Sequence, residues 1–152
     1  LMKSKEELSR YRAEMISQFG NCTILNVKGT SVIKNCSNTG NRTAHGGWSW
    51  INYWMAMTRK SNVQLKCSSC GKTIYAGPVP KLMARVYSST GDSEENHRAC
   101  GGHVWVVAQP NATYQGGRYI TPLCPSCNGQ HDERIPLLEG SILCKEIGAI
   151  QK

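Results

Sequence analysis

Phenylalanine occurs once in the 152 residues, so the common aromatic filler of a protein core is almost missing. The interior has to be built from four Trp, six Tyr and the aliphatic runs. With 39% hydrophobic residues this is a core of modest size, and one expected to gain from a metal clip. Long apolar runs are absent too: no stretch approaches the roughly 18 residues of a membrane helix, so no membrane partner is expected. No apolar h-region marks the first residues, and so no secretory leader is expected. Acidic residues are scarce, 10 against 18 Lys and Arg, which gives a formal net charge of +8 and a pI near 9.2. That balance favours an acidic partner such as nucleic acid. The cations are spread from Lys3 to Lys152 without a dense run, however, and this is equally the pattern of a basic protein kept soluble by its charge.

Eight cysteines in this length are either a disulfide framework or metal ligands, and spacing separates the two. Cys67-Ser68-Ser69-Cys70 and Cys124-Pro125-Ser126-Cys127 are C-x-x-C pairs, poorly suited to internal disulfides. Together they supply the four thiolates that a tetrahedral structural Zn²⁺ takes. Cys67, Cys70, Cys124 and Cys127 are therefore the expected zinc ligands, which favours a reducing, cytoplasmic compartment. Four N-x-[ST] triplets, at Asn21, Asn35, Asn41 and Asn111, leave secretion open, since they matter only in a secreted chain. Cys22, Cys36, Cys100, Cys144 and His45 form no close pair, so they read either as a second metal site or as free and buried thiols.

Along the chain, Ser4-Lys5-Glu6-Glu7 has the pattern of a capping box, and Leu8, Tyr11, Met15 and Phe19 follow at helical spacing. A helix is expected from Ser4 to Gln18 with Gly20 as its stop, residues 1–20 forming an N-terminal element apart from a domain at 21–152. Cys22 to Val27 resembles a strand. Residues 30–47 are rich in Ser, Thr, Asn and Gly and read as a long surface loop. Trp48 to Lys60 reads as a second helix, with Trp50, Trp54 and Met57 on one face. The three tryptophans suggest either core or a base-stacking platform, with Trp48 the one off the buried face. A short strand is expected at Thr73–Ala76, strand or helix at Leu82–Tyr87, and a polar exposed loop at Ser88–Asn96. His103–Ala108 and Arg118–Thr121 form a hairpin with a long turn at 109–117. Pro125 pre-sets a helix start, that helix running to Arg134 with Pro136 ending it, and one more strand is expected near Ser141–Cys144. Knuckle, hairpin and Cys-bearing helix make a treble clef, so the fold class is α+β: a single small domain with N-terminal helices.

The order Cys-x-x-Cys, strand with His103, strand, then Leu123-Cys-x-x-Cys-Asn128 resembles the HNH (ββα-metal) nucleases in their zinc-stabilised form. The match covers Cys67 to about Asp132. The resemblance implies that His103 is the general base that activates water and that Asn128 is a ligand of a catalytic divalent ion. Asp132, one helical turn further on, could reach the same Mg²⁺, Mn²⁺ or Ni²⁺ ion, and His131 is a weaker candidate. The chain departs from the family where it has Gly102 in place of an Asp or His ligand. It departs again near Tyr119 and Ile120, where the family has an Asn that orients the base. A nuclease would have to manage with one fewer ligand or recruit one from the loop, for instance Glu94, Glu95 or His97. The chain also resembles small bacterial and phage proteins of obscure function that share a W-x-x-x-W segment (Trp50 to Trp54), Gly101-Gly102-His103-Val104 and Tyr119-Ile120-Thr121-Pro122-Leu123-Cys124. That likeness implies a recurrent His103 and Asn128 pair, which could be structural.

Three functions follow as expectations. One is a zinc-stabilised module that binds nucleic acid or a protein partner. Another is a metal-dependent nuclease using His103, Asn128 and Asp132. The last is a phage or pathogen protein that inhibits a host factor, with zinc only holding its shape.

Overall fold

A computed structural model describes residues 2–29, 31–36, 39–108, 116–131 and 133–151. In chain order the elements are α1 (Lys5–Phe19), β1 (Ile24–Asn26), β2 (Ser31–Asn35), β3 (Arg42–Thr43), α2 (Trp50–Met57), β4 (Gln64–Lys66), β5 (Thr73–Tyr75) and α3 (Lys81–Ser89). They continue with β6 (Cys100–Ala108), β7 (Tyr119–Leu123), α4 (Pro125–Asn128), β8 (Arg134–Leu137), β9 (Ile142–Lys145) and β10 (Ile150–Gln151). The α+β class expected from the sequence is the class observed. Most of the expected hairpin turn, with the Asn111 triplet, lies outside the described residues, as does Asp132.

The centre is an antiparallel sheet of six strands in the order β1-β9-β7-β6-β2-β8. Because side chains alternate across a strand, each face collects its own core. One face gathers Ile33, Val104, Val106, Tyr119, Leu123 and Leu143 together with Cys67, Ile74 and Cys124 of the cysteine-bearing segments. The other gathers Ile120 and Cys144 under α1 and α2, whose Leu8, Tyr11, Met15, Tyr53 and Trp54 are all buried. The α1 start is as the sequence indicates: Ser4 Oγ accepts from the Glu7 amide at 3.1 Å, and a Glu7 carboxylate oxygen accepts from the Ser4 amide at 3.3 Å. It ends at Gly20, whose φ of +85° disfavours any residue with a Cβ.

Three expectations are corrected. Within the segment expected to be a long loop, Ser31–Asn35 is strand instead, since β2 lies inside the sheet between β6 and β8 and its Ile33 is fully buried. Its short Ser-Val-Ile-Lys-Asn run pairs on both sides, and tertiary pairing overrides its polar composition. The helix after the second cysteine pair does not reach Arg134 but stops at Asn128, and Arg134–Leu137 is strand β8. Pro136 therefore sits in an edge strand, where the N–H it lacks is not needed, rather than ending a helix. The second helix begins at Trp50, capped by Ser49 Oγ accepting from the Asn52 amide at 3.3 Å, so Trp48 precedes it.

The open choices also resolve. Leu82–Tyr87 is helical as part of α3, and the 88–96 segment holds the end of α3 and a short 3-10 turn at Glu94–His97. That turn is stapled by His97, whose ring nitrogens lie 2.8 Å from the Thr73 carbonyl oxygen and 2.7 Å from Asp92 Oδ2. The His97 ring also stacks on Tyr87 at 3.7 Å.

Candidate metal centre and adjoining cleft

The first cysteine pair lies in a tight turn between β4 and β5. The Gly71 amide donates to the Cys67 carbonyl and the Cys67 amide to that of Lys72, and the turn closes through Gly71 at φ +78°. The second pair brackets the start of α4, with Cys124 as its N-cap and Pro125 in the first turn. More than fifty residues apart in sequence, the pairs are brought together by β7. Ser68 donates its amide to the Pro122 carbonyl at 2.9 Å, and Ser68 Oγ lies 2.6 Å from Thr121 Oγ1, two and three residues ahead of Cys124.

The Sγ atoms of Cys67, Cys70, Cys124 and Cys127 all lie within 4.8 Å of one another, an arrangement that could hold a metal ion. The fit can be tested on distances. A tetrahedron with metal–sulfur bonds of about 2.3 Å has sulfur–sulfur edges of about 3.8 Å, and Cys70 Sγ lies 3.8 Å from Cys124 Sγ. The Cys127 amide points at Cys124 Sγ at 3.4 Å, the kind of N–H support that thiolate ligands receive from the backbone. Cys67 and Cys124 are buried while Cys70 is exposed, so the sulfur cluster sits at the surface end of the core. Among the described residues no other group of three or more His, Cys, Asp and Glu could hold a metal. The second metal site allowed for Cys22, Cys36, His45, Cys100 and Cys144 is therefore not formed among the described residues. Instead Cys22 and Cys144 sit together, and hydrogen bonding from the Cys144 thiol, with help from Tyr53, brings the Cys22 thiol down to about 7 despite its burial.

Next to the sulfur cluster opens a cleft of about 560 Å³, lined among others by Asn35, Arg42, Trp50, His103, Asn128 and His131. His103 and Asn128 thus share one cleft, but they reach it from opposite sides of β6. Gly101 and His103 face α2, whereas Gly102 faces Leu123 and Asn128. The Gly-Gly pair has a packing cause on each side. A Cβ on Gly101 would lie 2.5 Å from the Ile51 nitrogen and from the Trp50 carbonyl carbon. On Gly102 it would lie 2.5 Å from Leu123 Cδ1 and 3.2 Å from Asn128 Oδ1. A side chain at 102 would therefore be crowded by Leu123 and Asn128. Glu94, Glu95 and His97 do not line the cleft and cannot replace the missing family ligand: Glu95 pairs with Arg98 at 2.7 Å, and His97 is committed to its own turn.

Two cleft residues escaped the sequence reading because they lay in segments read as loop or tail. Asn35, 5% exposed, donates its amide to the Cys127 carbonyl at 2.9 Å and the Gln130 carbonyl at 3.0 Å, tying β2 to the end of α4. Arg42 forms an ion pair with Glu146 and gives its carbonyl oxygen to the Trp50 indole N–H at 3.2 Å. Glu146 itself, just after β9, was missed as well. It lies 2.9 Å from His103 Nε2 and 3.8 Å from Arg118, and its side chain is 7% exposed. The His103–Glu146 contact is close but poorly aligned for a hydrogen bond. Trp50 packs edge-on against the imidazole at 4.6 Å.

Burial alone would raise the Glu146 carboxyl, but His103, Arg42 and Arg118 outweigh it and hold the group below its usual range. A carboxyl depressed in the folded state stabilises above its unfolded value and loses that contribution as pH falls through its folded value. Glu146→Gln is therefore expected to be less stable than wild type by roughly 2 kcal/mol at neutral pH, below the range of a fully buried pair because Arg118 is 36% exposed. The gap should begin to shrink as pH falls below about 5, where an unfolded glutamate starts to protonate, and close as pH passes the lower folded value. Urea midpoints of both proteins from neutral to acid pH check this, and a gap independent of pH would contradict it.

The tryptophans divide as their helix spacing suggests. Trp50 and Trp54 are core, while Trp48 stacks on Tyr11 at 3.8 Å with the Lys3 ammonium 4.7 Å from its ring centre. Among the described residues no helix is long and apolar enough to cross a membrane. No family model, curated protein or solved structure matches the chain.

Proposed function

We propose that this chain is a zinc-stabilised domain of treble-clef, HNH-like form that binds nucleic acid through the cleft beside its cysteine cluster. The supporting observation is the cleft itself: amides, imidazoles and Arg42 converge in about 560 Å³ next to the four sulfurs, in a chain of net charge +8. Bound through Cys67, Cys70, Cys124 and Cys127, a zinc ion would supply structure, not chemistry, by clipping the knuckle to α4. Asn35, Asn128 and His131 then form one wall of the cleft and Arg42, Trp50 and His103 the other. Within that network two guanidinium groups face one carboxylate, which leaves a net positive charge for phosphate.

Binding of labelled DNA and RNA across a salt series tests the proposal. Phosphate contacts should make log K fall with log[salt] at a slope steeper than about −2, each contact contributing roughly −0.7 to −0.9. No binding at about 50 mM salt would end it.

A second reading, hydrolysis of the nucleic acid, draws support from His103 and Asn128 lining the same cleft. It requires plasmid or RNA to be cut with Mg²⁺, Mn²⁺ or Ni²⁺ and the cutting to vanish in His103→Ala. Intact substrate in all three metals would leave binding as the whole activity. Asp132 lies outside the described residues, and the helix meant to carry it ends at Asn128. Cleavage therefore rests on His103 and Asn128.

A further inference from the structure

Beyond His103, the α2-facing side of β6 continues into the open. Along that strand Val104 and Val106 are buried, while Trp105 and Val107 are 38% and 40% exposed on the side that His103 shares. Register places a row of charges across the sheet at Trp105. Lys34 of β2 is its direct partner, and Arg134 of the edge strand β8 is in turn the partner of Lys34. On the other side the Arg118 guanidinium lies over the Trp105 ring, 5.7 Å from its centre, and covers one face of the indole. Cross-strand partners point to the same face, so Arg134, Lys34, Trp105 and Arg118 form one line, with neighbours about 5 Å apart.

Glu146 engages Arg118 at 3.8 Å, but among the described residues no ion pair involves Lys34 or Arg134. The row therefore offers a partly exposed indole that carries Arg118 on one face and has Lys34 and Arg134 beyond it in line, and Arg118 links it through Glu146 to the His103 cleft. A protein partner of ordinary composition gains little from such a line. A flexible polyanion with flat bases is matched to it on both counts, charge and stacking. Paired bases in a duplex keep their faces hidden, so the match is to unpaired bases.

We infer that the row Arg134, Lys34, Trp105 and Arg118 is a stacking platform for single-stranded nucleic acid. One base lies on Trp105 while the adjoining phosphates meet Lys34 and Arg134, and the strand runs on into the His103 cleft. The inference rests on the nucleic-acid reading of that cleft and adds the strandedness of its ligand.

Fluorescence anisotropy with a labelled mixed-sequence single strand and its duplex tests the platform, using wild type, Trp105→Ala, Trp105→Tyr and the double variant Lys34→Ala, Arg134→Ala. The single strand should bind more tightly than the duplex. Trp105→Ala should weaken single-strand binding by about 5- to 100-fold, the loss of one stacked base, and Trp105→Tyr should restore most of it. The double variant should flatten the salt dependence by one to two phosphate contacts, a slope change of roughly 0.7 to 1.4. Trp105→Tyr keeps an aromatic ring at the site and so remains informative if the alanine variant folds poorly. Nucleic-acid binding that prefers duplex, or that is indifferent to Trp105, overturns the platform and leaves the cleft reading standing. Failure to bind either probe at low salt overturns both and assigns this face to a protein partner.

Discussion

Cys124→Ser is expected to yield protein with no bound metal and no cooperative unfolding transition. Cys124 is buried within the four-sulfur group, caps α4 and directly follows the strand that carries Pro122 and Thr121. Zinc bound to four thiolates contributes about 10 kcal/mol or more of apparent binding free energy at neutral pH. A domain of ordinary stability has only about 5–15 kcal/mol in total, so losing the metal removes most of what holds the knuckle to the hairpin. Wild type should carry one zinc per chain by elemental analysis and lose its near-ultraviolet tryptophan signal on chelation. Cys36→Ser is the control: Cys36 is buried and its thiol is pushed up to about 11 by that burial, but it stands outside the sulfur cluster. That variant should keep its metal and lose only about 1 kcal/mol. Freshly purified wild type without a transition metal would refute the zinc assignment.

Gly101→Ala should be the most damaging single-carbon change outside the cysteine cluster. The added methyl would meet backbone atoms of α2 at 2.5 Å, and neither a helix backbone nor a central strand can step aside as a side-chain tip can. The expected loss is about 3 kcal/mol, read as a fall in the urea midpoint at unchanged slope. Gly102→Ala meets the Leu123 side chain instead, at 2.5 Å, so that part of the strain relaxes by rotation and the cost should be lower, about 1–2 kcal/mol. Gly102→Asp, which would install the ligand that HNH enzymes have there, should destabilise the fold before it creates any metal site. Equal stability of Gly101→Ala and wild type would mean that α2 does not pack on β6 as described.

Legibility in the sequence followed the range of the interactions concerned. The α1 start was readable because a capping box is a contact across three residues, and the hairpin strands were readable because a run such as His103–Ala108 is rich in the Val and Trp that favour strands. The four sulfurs were readable because C-x-x-C spacing carries its own geometry. By contrast, Ser31–Asn35 lies in a polar stretch that reads as loop, and Arg134–Leu137 falls where an expected helix gives way to the tail. They are strands only because β6 offers β2 an edge and β2 then offers one to β8. Glu146 could not have been singled out: nothing near it in the chain announces that His103, Arg42 and Arg118 will surround it.

The sequence by itself thus determined the α+β class, the four clustered thiols and the strand that carries His103, since each follows from residue type and short-range spacing. Only the tertiary structure decided what those parts face. It set His103 against Glu146 and under Trp50, put Asn128 across β6 from it, pressed Gly101 against the α2 backbone and turned Trp105 outward beside Lys34. The physical reason is that side-chain direction in a sheet depends on register. Around β2 register is fixed by pairings with β6 and β8, distant segments of the chain that no local pattern links.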